Sequence, residues 1–87
     1  MDYTREEYVE MCREFFEAYI KFRLEGTEKH WIKNNNRNIQ INFFDHGDFL
    51  TVKLYCPEVL KSLSGYYNHS ARNTEEIIRM ILWLVFD

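Results

Sequence analysis

Apolar positions change parity near the middle of the chain. Ile39, Ile41 and Phe43 are odd-numbered and Leu50, Val52 and Leu54 even-numbered, with Asp45-His46-Gly47-Asp48 between the two sets. Successive strand side chains point to opposite faces, so each set marks one face of a strand. A two-residue turn at His46-Gly47 would pair Phe43 with Leu50, Ile41 with Val52 and Ile39 with Leu54, gathering all six on one face. Gly47 takes a positive φ without strain and His tolerates it, as a type I′ turn requires at both central positions. Residues 38–55 thus predict an antiparallel β-hairpin.

The flanks carry helical periods. Thr4-Arg5-Glu6-Glu7 has the spacing of a capping box, with Tyr3 and Tyr8 at the hydrophobic-staple positions. Tyr8, Cys12, Phe15, Phe16, Tyr19, Ile20 and Phe22 recur at steps of three and four, and Gly26 is a natural stop, so a helix over 5–25 is expected with this aromatic face on the core. Thr27 to Asn38 has no clear period and includes three consecutive asparagines, and reads as a loop. Pro57 at a first helical position, followed by Val59, Leu60 and Leu63 before Gly65, predicts a short second helix. Tyr66 to Arg72 reads as a connector. Asn73-Thr74-Glu75-Glu76 repeats the helix-start signal, and Met80 to Phe86 continues as an apolar run, read as helix with a third strand as the alternative. The expected fold class is α+β, a small α-β-β-α-α domain with its antiparallel hairpin packed against helices.

Length and composition bound the class. Eighty-seven residues make one domain, expected to span 1–87. A hydrophobic fraction of 46% and an aromatic fraction of 17% suit a globular chain, and no apolar run approaches the ~20 residues that span a bilayer. The polar, acidic start lacks a secretory signal pattern, so a cytoplasmic location is expected and no membrane partner. Cys12 and Cys56 stand in no metal-type or redox-type spacing and read as reduced thiols. Scarce Ala, Gly and Pro beside plentiful Asn, Ile, Glu, Phe and Tyr suggest an AT-rich coding sequence.

The candidate chemistry is sparse. His46 sits between two acids, but Asp, His and Gly are residues a tight turn selects for backbone reasons, so neither a metal nor a catalytic role is assigned to it. His30 and His69 lack triad or zinc-type spacing, and no phosphate loop or nucleophile elbow is present. The expectation is a protein that is not an enzyme and uses no cofactor. The loop carrying Lys29, Trp31, Lys33 and Arg37 is the only net-positive segment and has the cation, aromatic and amide mix of single-strand nucleic-acid contact. Against it stands a formal net charge of −3, with 11 Lys and Arg facing 14 acids. Phe44 opposite Phe49, together with Tyr66, Tyr67 and Trp83, is more aromatic surface than a two-stranded sheet can hide, and both hairpin edges lack a partner. The leading expectation is therefore a small protein that binds another protein through Phe44, Phe49, Tyr66, Tyr67 and Trp83, as a homodimer or as an inhibitor of anti-defence type from a phage or mobile element. The alternative is a nucleic-acid-binding regulator using Lys29, Trp31, Lys33 and Arg37. A small enzyme of unknown reaction is the third.

Overall fold

The computed structural model describes residues 3–68 and 71–86, with the side chains of 71 and 72 left undescribed. Helix α1 (Arg5–Glu25) is followed by four strands, β1 (Lys29–Asn34), β2 (Arg37–Asp45), β3 (Leu50–Cys56) and β4 (Lys61–Tyr67), and by helix α2 (Ala71–Phe86). The strands form one antiparallel meander in the order β1-β2-β3-β4. The class is α+β as expected, but the order is α-β-β-β-β-α rather than α-β-β-α-α.

Helix α1 follows its sequence signals closely. Thr4 Oγ1 accepts from the Glu7 N–H at 3.1 Å, and the Glu7 carboxylate accepts from the Thr4 N–H at 3.0 Å. Tyr3 and Tyr8 stack as the staple, with ring centroids 6.2 Å apart. At the other end Gly26 is left-handed (φ 74°) and donates to the Phe22 carbonyl. Its buried stripe is Met11, Phe15, Ala18 and Phe22. Phe16 and Ile20, expected in the core, are about half exposed, because the helix rests on the sheet and on α2 along one side and can bury only a narrow arc.

The loop expected at 27–38 is instead a strand and a tight turn. Asn35 (φ 49°) and Asn36 (φ 60°) are both left-handed between the closing pair Asn34–Arg37, which is the φ pattern of a type I′ hairpin. Asparagine disfavours strand interiors yet is among the few residues that accept this turn. The helix expected from Pro57 is also a turn: Leu60 donates to the Pro57 carbonyl at 3.3 Å with φ 52°, and Cys56 pairs with Lys61. Lys61 to Tyr67 then alternates, with Leu63, Gly65 and Tyr67 directed to the helices and Ser62, Ser64 and Tyr66 away. Gly65 is a strand residue, where a Cβ would collide with the Tyr67 ring that folds over it.

The central hairpin keeps its faces but not its register. Phe43 pairs with Val52 and Ile41 with Leu54, two residues away from the expected partners, and the turn is at Gly47-Asp48, with His46 donating to the Phe49 carbonyl at 2.9 Å. This turn needs a positive φ only at Gly47 (φ 90°), whereas His46-Gly47 would have forced one on a histidine as well. A slip of two preserves parity, so Ile39, Ile41, Phe43, Leu50, Val52 and Leu54 all remain on the inner face. The edges that lacked partners in the two-strand reading are occupied by β1 and β4.

Helix α2 begins at Ala71, ahead of the expected Asn73 or Thr74 cap, and residues 80–86 are helical rather than a third strand. Its Ile77, Ile78, Ile81, Leu82, Leu84 and Val85 join the α1 stripe and the inner sheet face in one buried core. Both helices therefore cover the same face of the sheet. Among the described residues, no helix is long and apolar enough to cross a membrane.

Candidate functional site

Among the described residues no element covers the outer sheet face, and strand pairing arranges its residues in rows. Trp31, Gln40, Tyr55 and Ser62 lie side by side across the four strands. Lys29, Asn42, Lys53 and Ser64 form the next row, and Phe44, Thr51 and Tyr66 the one after. A row of lysines and amide or hydroxyl groups is thus bracketed by two aromatic rows, each step about 7 Å along the strands. Trp31 is 56% and Tyr66 76% exposed, and Phe44, Phe49 and Tyr55 each keep more than a third of their surface in solvent.

The electrostatics of this face differ from those of the whole chain. No outward position of the four strands is acidic, while Lys29, Lys33 and Lys53 are cationic. The acids instead populate the helices and turns, and two that lie near the sheet ends are engaged. Asp45 accepts from Arg23 Nη1 at 2.9 Å and from the Gly47 N–H at 2.8 Å, which ties the hairpin end to α1. Glu58 Oε1 accepts from the Asn38 N–H at 3.0 Å and from Asn38 Nδ2 at 2.7 Å. The outward strand positions of this acidic protein are consequently acid-free, aromatic and cationic, with Glu28 and Asp48 exposed at their margins, just before β1 and in the hairpin turn.

The two residue sets expected from sequence to form separate sites largely merge here. Lys29, Trp31 and Lys33 face outward on β1, and Phe44, Phe49 and Tyr66 lie on the outer face and hairpin tip. Three members go elsewhere. Arg37 Nη1 donates to the Leu84 carbonyl at 2.7 Å and Asn35 Nδ2 to the Val85 carbonyl at 3.1 Å, so the β1–β2 turn caps the end of α2. Tyr67 turns inward and donates to Met80 Sδ at 3.4 Å, and burial, then the nearby Glu76, pushes its hydroxyl pKa up. Trp83 lies on α2 with Lys61 Nζ 4.4 Å from its ring centroid. Tyr55 and Lys53 were missed, although their outward parity was legible once Val52 and Leu54 were placed inward.

Other parts of the molecule offer less. His30 is half-buried against Phe43, with Nε2 2.7 Å from the Thr27 carbonyl, and His69 lies outside the described residues. Cys12 and Cys56 are free thiols, and burial raises the Cys56 pKa, which keeps it protonated and weakly nucleophilic. Among the described residues no group of three or more His, Cys, Asp and Glu is placed to hold a metal ion. An open groove of about 510 Å³ runs between α1 and β1; Glu14 on its wall has a buried oxygen, Oε2, without a hydrogen-bond partner among the described residues. Burial and the neighbouring Glu10 and Glu17 raise the Glu14 pKa against the opposing pull of Arg13. Comparison with protein-family models, curated proteins and solved structures finds no significant match to this chain.

Proposed function

We propose that this protein acts by binding rather than catalysis, and that its outer sheet face takes single-stranded nucleic acid. Support comes above all from the alternation of rows: stacking surfaces on either side of a cationic strip, with no acid among them. Bases stack on aromatic rings whatever their sequence, phosphates require cations, and amides and hydroxyls such as Gln40, Asn42, Ser62 and Ser64 complement sugar and base edges. A duplex fits less well, because its bases are already stacked on each other and leave no free ring face for Trp31, Phe44, Tyr55 or Tyr66. Helix α1 alone contributes −2 of the net −3, with six Glu against four Lys and Arg, and it lies on the other side of the sheet, where it would oppose non-specific association of the rest of the molecule.

The test is fluorescence anisotropy with labelled 12-mers of deoxythymidine and uridine over a range of salt. Three lysine contacts give an expected slope of log K against log salt of about −2. Replacing Lys29, Lys33 and Lys53 together with Gln should flatten that slope, and Trp31→Ala should weaken binding at every salt concentration. Absence of salt-sensitive binding, or a triple variant indistinguishable from the parent, would reject the proposal.

Protein–protein binding is the second reading, favoured by an exposed apolar stripe on α1. Val9, Phe16, Ile20 and Leu24 are between about half and four-fifths exposed, and Phe16, Ile20 and Leu24 follow each other at four-residue steps. A homodimer built on this stripe would dissociate on Phe16→Glu with Ile20→Lys, as read by sedimentation. The anti-defence inhibitor remains a narrower form of this reading, resting on size and composition alone.

A further inference from the structure

We propose that the β2–β3 hairpin tip is a subsite for one nucleobase, walled by Phe44, Phe49 and Tyr66 and floored by Thr51 with His46, an inference that rests on the nucleic-acid reading of the sheet face. The register places Phe44, Thr51 and Tyr66 side by side on three adjacent strands. Two aromatic side chains therefore flank a small one, with their Cα atoms two strand spacings or roughly 10 Å apart. That is room for one flat ring between two aromatic walls. The tip closes the third side: Phe49 tilts against Tyr66 at 5.8 Å, and His46 stacks on Phe49 with centroids 4.5 Å apart and planes at 17°. These residues and Lys53 line a cleft of about 450 Å³, within the range of small-molecule sites.

The floor supplies polar groups where a base edge would end. Thr51 is only 6% exposed although it belongs to the outer face, and its Oγ1 lies 2.9 Å from His46 Nε2. A hydroxyl has one proton and two lone pairs and a neutral imidazole one donor and one acceptor. After their mutual hydrogen bond, the pair still offers both a donor and an acceptor to a ligand. Lys53 is the cleft's only formally charged side chain with its ammonium beside an aromatic wall, 5.4 Å from the Phe44 centroid. An aromatic slot, a paired donor and acceptor at its base and a cation at its rim correspond part by part to the ring, edge and phosphate of a nucleotide.

The experiment measures anisotropy of labelled dA, dC and dT 12-mers with the parent and with Phe49→Ala, Tyr66→Ala, Thr51→Val, Lys53→Gln and Trp31→Ala, each checked by thermal melting. Phe49→Ala and Tyr66→Ala should each weaken binding about ten-fold at unchanged salt slope, since a lost stack removes no charge. Lys53→Gln should reduce the slope by about 0.7. Thr51→Val keeps the shape and removes the hydroxyl, and should level the affinities that the parent shows for the three bases. Aromatic losses and levelled affinities together are the expected result, and the absence of either overturns the subsite. Should Thr51→Val not fold, the exposed Tyr66 and Phe49 still decide it. If both aromatic variants bind like the parent while Trp31→Ala is weakened, the subsite falls and the sheet-face reading stands. If the parent binds none of the oligonucleotides, both fall.

Discussion

Phe43 and Phe44 are adjacent in β2 and chemically identical, yet they belong to different regions of the molecule. Phe43 is fully buried on the inner face, within 6 Å or so of Phe15, Tyr19, Phe22 and His30, whereas Phe44 is 36% exposed on the outer face beside Lys53. The inner face contains Ile, Leu, Val and Phe packed under two helices, and the outer face aromatic, cationic and amide residues on which no described element packs. Strand alternation gives one segment two tasks. The inner residues hold the sheet together; the outer ones add little to folding and are available to a partner.

The sharpest way to break this contrast is to truncate the inner member. Phe43→Ala should destabilise the protein by about 3–5 kcal/mol, a large share of the stability of a domain this size, as measured by urea unfolding. A loss below about 1 kcal/mol would mean that the inner face is not the core.

The same division separates two cations once grouped in a single loop. Arg37→Ala should cost about 1.5–3 kcal/mol, because it removes a charged donor from the α2 terminus, while leaving the salt slope of ligand binding unchanged. Lys33→Ala should do the reverse, changing the slope and sparing the melting temperature. Equal effects of the two on binding would erase the distinction.

A smaller effect is expected where a carboxylate lines the groove beside the sheet. The folded-state pKa of Glu14 is raised above its unfolded value by burial and by Glu10 and Glu17. Its contribution to stability is therefore fully present below the unfolded pKa of about 4.3 and is lost as pH rises through the folded pKa. Glu14→Gln should accordingly stabilise at pH 7 by about 0.5 kcal/mol or less after solvent screening, and the gain should vanish near pH 3. A gain that persists in acid would place its origin outside ionisation.

The smallest stability change belongs to the outer member of the phenylalanine pair. Phe44→Asp should alter unfolding by no more than about 0.5 kcal/mol, yet it places the only acid on the aromatic rows and should abolish binding of an anionic partner. A strongly destabilised Phe44→Asp variant would return this residue to the core.

Legibility followed the range of the interactions. The α1 cap, staple and C-terminal glycine were all readable because each lies within a few residues of the helix end. The inner-face residues of the central hairpin were also readable, since alternation is local and survives the slip of two in register. The β1 and β4 strands were not. β1 buries one aliphatic side chain, Ile32, and β4 interleaves serine with Leu63 and Gly65, so neither shows an apolar run until a neighbouring strand completes its ladder. Asn35-Asn36 reads as a breaker by strand propensity, yet asparagine's tolerance of left-handed backbone makes the same pair the turn that joins β1 to β2.

The candidate site was half legible for a related reason. Lys29, Trp31, Lys33, Phe44, Phe49 and Tyr66 could each be singled out by residue type, but they are scattered over 38 positions of sequence. Only pairing through β1-β2-β3-β4 sets them in adjoining rows, and only the common placement of α1 and α2 leaves that side of the sheet open. The sequence by itself determined where α1 starts and stops and which side of each central strand is apolar, because those depend on backbone geometry and on water within a few residues. Tertiary structure alone decided that two candidate sites are one surface, that Arg37 serves a helix end and that the acids face elsewhere, because long-range strand pairing and helix packing govern which distant side chains share a face.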